Sequence, residues 1–63
     1  MKKVLKGLKE LHGEETALGH MYLKSSEVAK AEGKSDIADF LRNSSKECKA
    51  RANEIEMMMK TLE

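Results

Sequence analysis

The 63-residue chain contains no proline and no tryptophan, and its only aromatic residues are Tyr22 and Phe40. Much of the remainder is lysine, glutamate, alanine, leucine and methionine, which all favour helices. No segment alternates apolar and polar residues in the way that a half-buried strand does. The composition therefore predicts an all-α fold.

Other features that are scarce narrow the class of protein further. The single cysteine, Cys48, excludes an internal disulfide and suits a reduced, intracellular protein in which the thiol packs as a small hydrophobe. No apolar run is long enough for a signal peptide or a membrane span, so the cytoplasm is the expected location. The net charge of +1 points to neither a nucleic acid nor an anionic membrane as partner. Conventional catalytic motifs are missing, and we expect no enzyme activity.

Two apolar stripes with alternating steps of four and three residues indicate two amphipathic helices. We predict one domain over residues 1–63, with helices at 2–32 and 36–62 and a turn at 33–35. Gly33 is suited to end the first helix, and Ser35 to cap the second, with Asp36 favourable at its positive end. The stripes consist of Val4, Leu8, Leu11, Glu15, Leu18, Tyr22, Ser25 and Ala29, and of Ile37, Leu41, Ser44, Cys48, Arg51, Ile55, Met58 and Leu62.

Folding the chain back at Gly33 into an antiparallel hairpin places two charges opposite each other. Partners then have residue numbers that sum to 66, which pairs Glu15 with Arg51 and Tyr22 with Ser44. These four residues and Cys48 form a predicted polar layer in an otherwise apolar core. Gly19 lies beside this layer, where the absence of a side chain lets another helix approach closely.

A lone hairpin of this length leaves one side of both stripes in water, so a second hairpin is expected to cover them. Further apolar residues widen the stripes beyond what two helices cover, which favours a homodimeric four-helix bundle. The added residues are Leu5, Met21, Val28, Ala38, Phe40, Ala52 and Met59. The predicted interface residues are Leu8, Leu11, Leu18, Leu41, Ile55 and Met58.

The segment from Glu15 through Arg51 resembles one helical hairpin of the rubrerythrin branch of the ferritin-like superfamily. The shared pattern is Glu15, Tyr22, Ala29, the turn pair Glu32 and Gly33, then Ile37, Ala38 and an apolar Phe40 or Leu41. The resemblance implies a ferritin-like four-helix bundle. In that family, one carboxylate from each first helix and a Glu-x-x-His motif from each second helix hold two iron ions.

The chain departs from this family at the second set of iron ligands. Cys48 and Arg51 stand where the family has its Glu and His. Arginine cannot ligate iron, and beside Glu15 it supplies the positive charge that a metal otherwise provides. We therefore expect a small non-catalytic structural or protein-interaction module without a cofactor, in which a Glu15–Arg51 ion-pair layer replaces the di-iron site.

Two alternative functions rest on other side chains. His12 and Glu15 are three residues apart, so two subunits together can offer two imidazoles and two carboxylates to iron or zinc. Arg42, Lys46 and Lys49 share one side of the second helix, which is the pattern of a small nucleic-acid-binding regulator. Acidic residues nearby in the sequence are expected to weaken that positive field, namely Glu47, Glu54 and Glu56.

Overall fold

The chain folds into an antiparallel hairpin of two long helices. The computed structural model describes residues 2–63, with α1 at Lys2–Ala31 and α2 at Ser35–Thr61. The two helices pack against each other in a slab of 48 × 13 × 10 Å, and residues 2–63 contain no strand. The predicted all-α hairpin is confirmed.

The turn is a tight glycine-dependent connection. Gly33 has a φ of 76°, the left-handed conformation that glycine adopts at little cost. The amide of Lys34 donates to the carbonyl of Ala29 at 2.9 Å, and the amide of Gly33 donates to the carbonyl of Lys30 at 3.1 Å. These two bonds form a Schellman motif, which satisfies carbonyls at the end of α1. The expected role of Gly33 is confirmed.

The start of α2 differs from the prediction by one residue. Lys34, not Ser35, occupies the N-cap position and makes no side-chain capping bond, whereas Ser35 is already helical. The carbonyl of Lys34 accepts the amide of Ala38 at 2.9 Å. Because Lys34 completes the Schellman motif of α1 and also opens α2, the turn keeps three residues but lies one residue earlier than predicted, at 32–34. Asp36 lies in the first turn of α2, as predicted.

The seam between the helices follows a strict seven-residue repeat, but it is rotated from the predicted one. Alternate predicted positions do face the other helix, namely Leu8, Glu15, Tyr22 and Ala29 on α1 and Leu41, Cys48, Ile55 and Leu62 on α2. The positions between them are each displaced by one residue. The residues that face the seam at these positions are Leu5, His12, Gly19, Ser26, Ala38, Ser45, Ala52 and Met59. The residues that they replace are Val4, Leu11, Leu18, Ser25, Ile37, Ser44, Arg51 and Met58. All of the replaced residues are exposed except Ser44, which is half-buried.

Small side chains explain the rotation. A Cβ atom added to Gly19 would lie 3.4 Å from the Cβ of Cys48, so the helices approach closely here. The hydroxyl of Ser45 crosses the seam and donates to the carbonyl of Gly19 at 2.8 Å. Ser26 is fully buried, and its hydroxyl donates to the carbonyl of Leu23 within α1. The predicted close approach at Gly19 is confirmed, and it leaves Leu11 and Leu18 outside the seam, in which the larger apolar residues are only half-buried.

Apolar residues cover only part of the circumference of each helix. Within residues 2–63, neither helix contains an apolar stretch of the length and hydropathy that crossing a bilayer requires. The fully buried apolar side chains between the helices are small: Ala38, Cys48 and Ala52. The hairpin is therefore held together by close backbone approach more than by a large apolar core.

Candidate functional site

Glu15 and Arg51 meet at one edge of the seam. The Nη1 atom of Arg51 donates to Oε1 of Glu15 at 3.3 Å. The side chain of Glu15 is 18% exposed and that of Arg51 is 62% exposed, so the carboxylate belongs to the seam and the guanidinium lies on its rim. The second carboxylate oxygen, Oε2, is buried and has no hydrogen-bond partner among the described residues. In the hairpin alone, the ion pair therefore joins a mostly buried carboxylate to a mostly exposed guanidinium.

Cys48 lies buried in the same region as a free thiol. Burial raises the pKa of this thiol, and the negative charge of Glu15 raises it further, while the positive charge of Arg51 opposes the shift. A raised pKa keeps the thiol protonated at neutral pH and therefore weakly nucleophilic. Cys48 packs here as a small neutral side chain.

Tyr22 and Ser44 are the second polar pair that the sequence places opposite each other. No hydrogen bond joins these two side chains in the part of the chain that the structure describes, although both are half-buried. The hydroxyl of Ser44 donates instead to the carbonyl of Phe40 within α2, at 3.0 Å. The serine that bridges the helices is Ser45, which sequence reasoning missed. Its position seven residues from both Ala38 and Ala52 was the available signal.

His12 and Glu15 do not form a metal site within one copy of the chain. The Nε2 atom of His12 lies 4.0 Å from Oε2 of Glu56, on α2. Residues 2–63 contain no group of three or more His, Cys, Asp or Glu side chains placed to hold a metal ion. The donor set of one hairpin therefore does not fit iron or zinc, and the ligands of any shared site would have to come from two subunits.

One broad side of the hairpin carries large apolar side chains that nothing within residues 2–63 covers. They are 40 to 66% exposed, and two helical edges bring them to the same side as Arg51. Three predicted interface residues, Leu11, Leu18 and Met58, lie here, whereas Leu8, Leu41 and Ile55 are half-buried in the seam. We call this side the apolar face: Val4, Leu11, Leu18, Met21, Val28, Ile37, Phe40 and Met58.

The opposite broad side contains a groove of about 410 Å³, with polar and charged side chains on its walls and a largely apolar lining. Its floor is the small-residue part of the seam, where Gly19, Ser45 and Ala52 lie. The walls come from both helices and include Thr16, His20, Leu23, Lys49 and Asn53, together with His12 and Glu15. The helices therefore present these residues on a common surface.

No protein-family model, curated protein or solved structure matches this chain. The functions proposed for its two faces are therefore inferred from their own residues, since the hairpin places an apolar surface on one side and a groove flanked by exposed cations such as Lys46 and Lys49 on the other. An apolar surface favours a protein partner, and exposed cations favour an anionic one.

Proposed function

We propose that the chain is a small non-catalytic structural or protein-interaction module that homodimerises through the apolar face into a four-helix bundle. The observation that carries this proposal is the mismatch between what the hairpin buries and what it exposes. Within residues 2–63 only three apolar side chains, all small, are buried, whereas eight of the ten large exposed ones lie together on one surface. Exposed apolar patches of this kind mark interaction sites.

The size of the chain supports a need for a partner. Chains of about 60 residues are marginal as independent folds, and many depend on oligomerisation, metals or disulfides. The lone cysteine of this chain excludes an internal disulfide. Burial of a face that includes Leu11, Leu18 and Phe40 supplies the apolar contact that the seam lacks, at about 1.5 to 3 kcal/mol for each large side chain that becomes fully buried.

A second copy of the chain is the occupant that best fits this face. The slab measures 48 by 13 Å, a flat area of about 600 Å², and side-chain relief raises it toward the roughly 800 Å² per partner of a stable interface. Helical steps of seven from Met21 and Phe40 also place Glu14, Glu47 and Glu54 on this face, where Arg51 pairs with the Glu15 carboxylate at one level. A two-fold axis parallel to the helices brings both pairs of the dimer into one layer.

A four-helix bundle of two hairpins is also the architecture that the resemblance to the rubrerythrin branch of the ferritin-like superfamily implies, although the long crossover in that fold places the turns of its two hairpins at opposite ends. Two hairpins related by such an axis form a bundle in which every neighbouring pair of helices is antiparallel. The layer of two Glu15 and two Arg51 side chains then takes the place of the di-iron site. We propose that this layer fixes register and orientation, because buried ion pairs contribute little net stability but penalise every arrangement that leaves one charge unpaired.

Two leucines provide a matched test of the dimer. Leu18 lies on the apolar face with 40% exposure, and Leu23 lies on the grooved side of the same helix with 43% exposure. We expect Leu18→Lys to produce a monomer in sedimentation equilibrium, because it places two charges inside the interface, and Leu23→Lys to remain a dimer. Dimers in both variants, or dissociation only of Leu23→Lys, would overturn the proposed interface.

Native mass spectrometry on tag-free protein purified without chelator reads subunit number and metal content in one spectrum. The expected species is a metal-free dimer. A dimer that carries iron or zinc and loses it on Glu15→Ala would replace the ion-pair layer with the metal-binding alternative, in which His12 and Glu15 of two subunits are the ligands. A trimer or larger species would contradict the two-hairpin bundle.

A further inference from the structure

We propose that the polar side of the hairpin binds the phosphate backbone of a double-stranded nucleic acid. The surface is here called the basic face and consists of Lys6, Lys9, Arg42, Lys46, Lys49 and Lys60. It lies opposite the apolar face, so the proposal does not depend on dimerisation: a bundle formed through the apolar face leaves one basic face open on each outer side.

The groove shows which positions of the two helices share this side. Lys49 of α2 and Thr16 and His20 of α1 all line it. Helical steps of three, four, seven or eleven residues return to nearly the same side of a helix. From Lys49, such steps reach Lys46, Arg42 and Lys60, and from Thr16 a step of seven reaches Lys9, three residues beyond Lys6. All six cations are exposed.

By the same helical steps, three acidic residues share this side with the six cations, namely Glu27, Asp39 and Glu56, whereas two others do not. Glu47 and Glu54 are two and five residues from Lys49 in the sequence, which at about 100° per residue turns them toward the other side of α2. Glu56 does lie on the basic side, but its carboxylate faces His12 at 4.0 Å. The expectation that all three glutamates neutralise this surface is therefore wrong for two of them, because position on the helix matters more than distance along the chain.

The composition of the basic face favours phosphates over bases and over lipid. Tyr22 lies in the seam and Phe40 on the apolar face, so within residues 2–63 the rings on this side are the imidazoles of His12 and His20, and no larger aromatic ring is there to stack on a base. Leu23 is the one large apolar side chain of the groove, and helices that enter a membrane surface need an apolar stripe beside their cations. Lysine and arginine without either feature are the groups that contact nucleic-acid phosphates irrespective of sequence.

The length of the face suits a duplex. Arg42 and Lys60 are 18 residues apart, which is about 27 Å along a helix, or on the order of eight base pairs. The side-chain amide of Asn53 in the groove is a further donor for phosphate oxygens, whereas the Thr16 hydroxyl donates to the carbonyl of His12 at 2.9 Å. Glu15 also lines the groove, but Arg51 offsets its charge from the other side.

The test is fluorescence anisotropy with a labelled duplex of about 20 base pairs, titrated at about 50 and 200 mM salt. The face variant is Lys46→Glu with Lys49→Glu. The control variant is Lys24→Glu with Lys34→Glu, which makes the same change in net charge at exposed positions on the outer edge of α1 and in the turn. We expect the face variant to bind at least about tenfold more weakly and to lower the salt slope by about two, and the control to change affinity by less than about threefold.

Several results would overturn the proposal. Equal losses in the two variants would show that only net charge matters. No binding of the wild-type chain at about 50 mM salt would exclude a phosphate-binding face, because electrostatic binding is strongest at low ionic strength. Binding to vesicles of anionic phosphatidylglycerol without binding to the duplex would assign the face to a membrane surface. Circular dichroism of both variants establishes that they remain helical.

Discussion

The ion pair between Glu15 and Arg51 gives a prediction whose magnitude depends on the assembly. In the isolated hairpin, Arg51 is 62% exposed and makes one hydrogen bond of 3.3 Å, so its loss should cost about 0.2 to 1 kcal/mol, as for other solvent-exposed pairs. In the proposed bundle, a second hairpin covers this layer. Arg51→Leu then leaves the Glu15 carboxylate buried without a counter-charge, which costs about 3 to 5 kcal/mol.

The double variant separates the pair from its parts. Replacing Glu15 and Arg51 together by leucine removes both charges and fills the layer with apolar groups, so we expect it to be more stable than Arg51→Leu alone. The assay is urea unfolding followed by circular dichroism, repeated over a hundredfold range of protein concentration, because a dimer unfolds at a midpoint that depends on concentration.

The control is Arg42→Leu, which removes an exposed arginine of the same helix that forms no ion pair within residues 2–63. We expect its free energy of unfolding to change by less than about 0.5 kcal/mol. If the losses from Glu15→Leu and Arg51→Leu simply add, the two charges do not interact. If Arg51→Leu costs no more than Arg42→Leu, the layer is not buried and the proposed bundle loses its central support.

Three further predictions concern the hairpin itself. Gly13→Ala should raise the free energy of unfolding by about 1 kcal/mol, because alanine favours the helix and the added Cβ meets nothing within 4 Å. Gly33→Ala should lower the free energy of unfolding by a similar amount, because φ is positive at that residue. Urea unfolding measures both changes. Ser45→Ala should cost about 1 kcal/mol through loss of the inter-helix hydrogen bond, while Ser44→Ala, which loses a bond within α2, should cost less; equal losses would contradict the bridging role. Because burial raises the pKa of Cys48 above its ordinary value of 9.0, the unfolded chain releases this proton first, so wild-type stability should fall as the pH rises past about 9 and Cys48→Ala should lack that part of the decline.

The hairpin and its charged pair were predictable because each depends on coarse features of the sequence. Gly33 marks the turn, and the distances from it to Glu15 and to Arg51 are equal, so the two charges come level under any rotation of the helices. The rotation itself was not predictable from the apolar pattern. The apolar pattern gives the centre of a wide apolar surface on each helix. The two helices instead pack along one side of that surface, where the smallest residues lie, as at Gly19 and Ala52.

The two faces show the same limit. The stripe that contains Leu11 and Leu18 was assigned to the hairpin seam, yet it lies on the outer surface, since Gly19 lets the backbones come together instead. The groove behind the seam was not predictable at all, because its floor exists only once small residues meet across the helices. The rotation of the helices also decides which acidic residues lie on the same side of α2 as Lys49.

The strict seven-residue repeat of the seam has a consequence for the shape of any partner. An undistorted helix has 3.6 residues per turn, so a repeat of seven keeps facing its neighbour only if the two helices wind around each other in a left-handed sense. With a pitch of about 150 Å, helices of about 45 Å carry their surface through roughly 100° from one end to the other. A flat or straight surface would therefore lose contact with Val4 or with Ile37, at opposite ends of the hairpin, whereas another hairpin of the same handedness follows the curve along its full length.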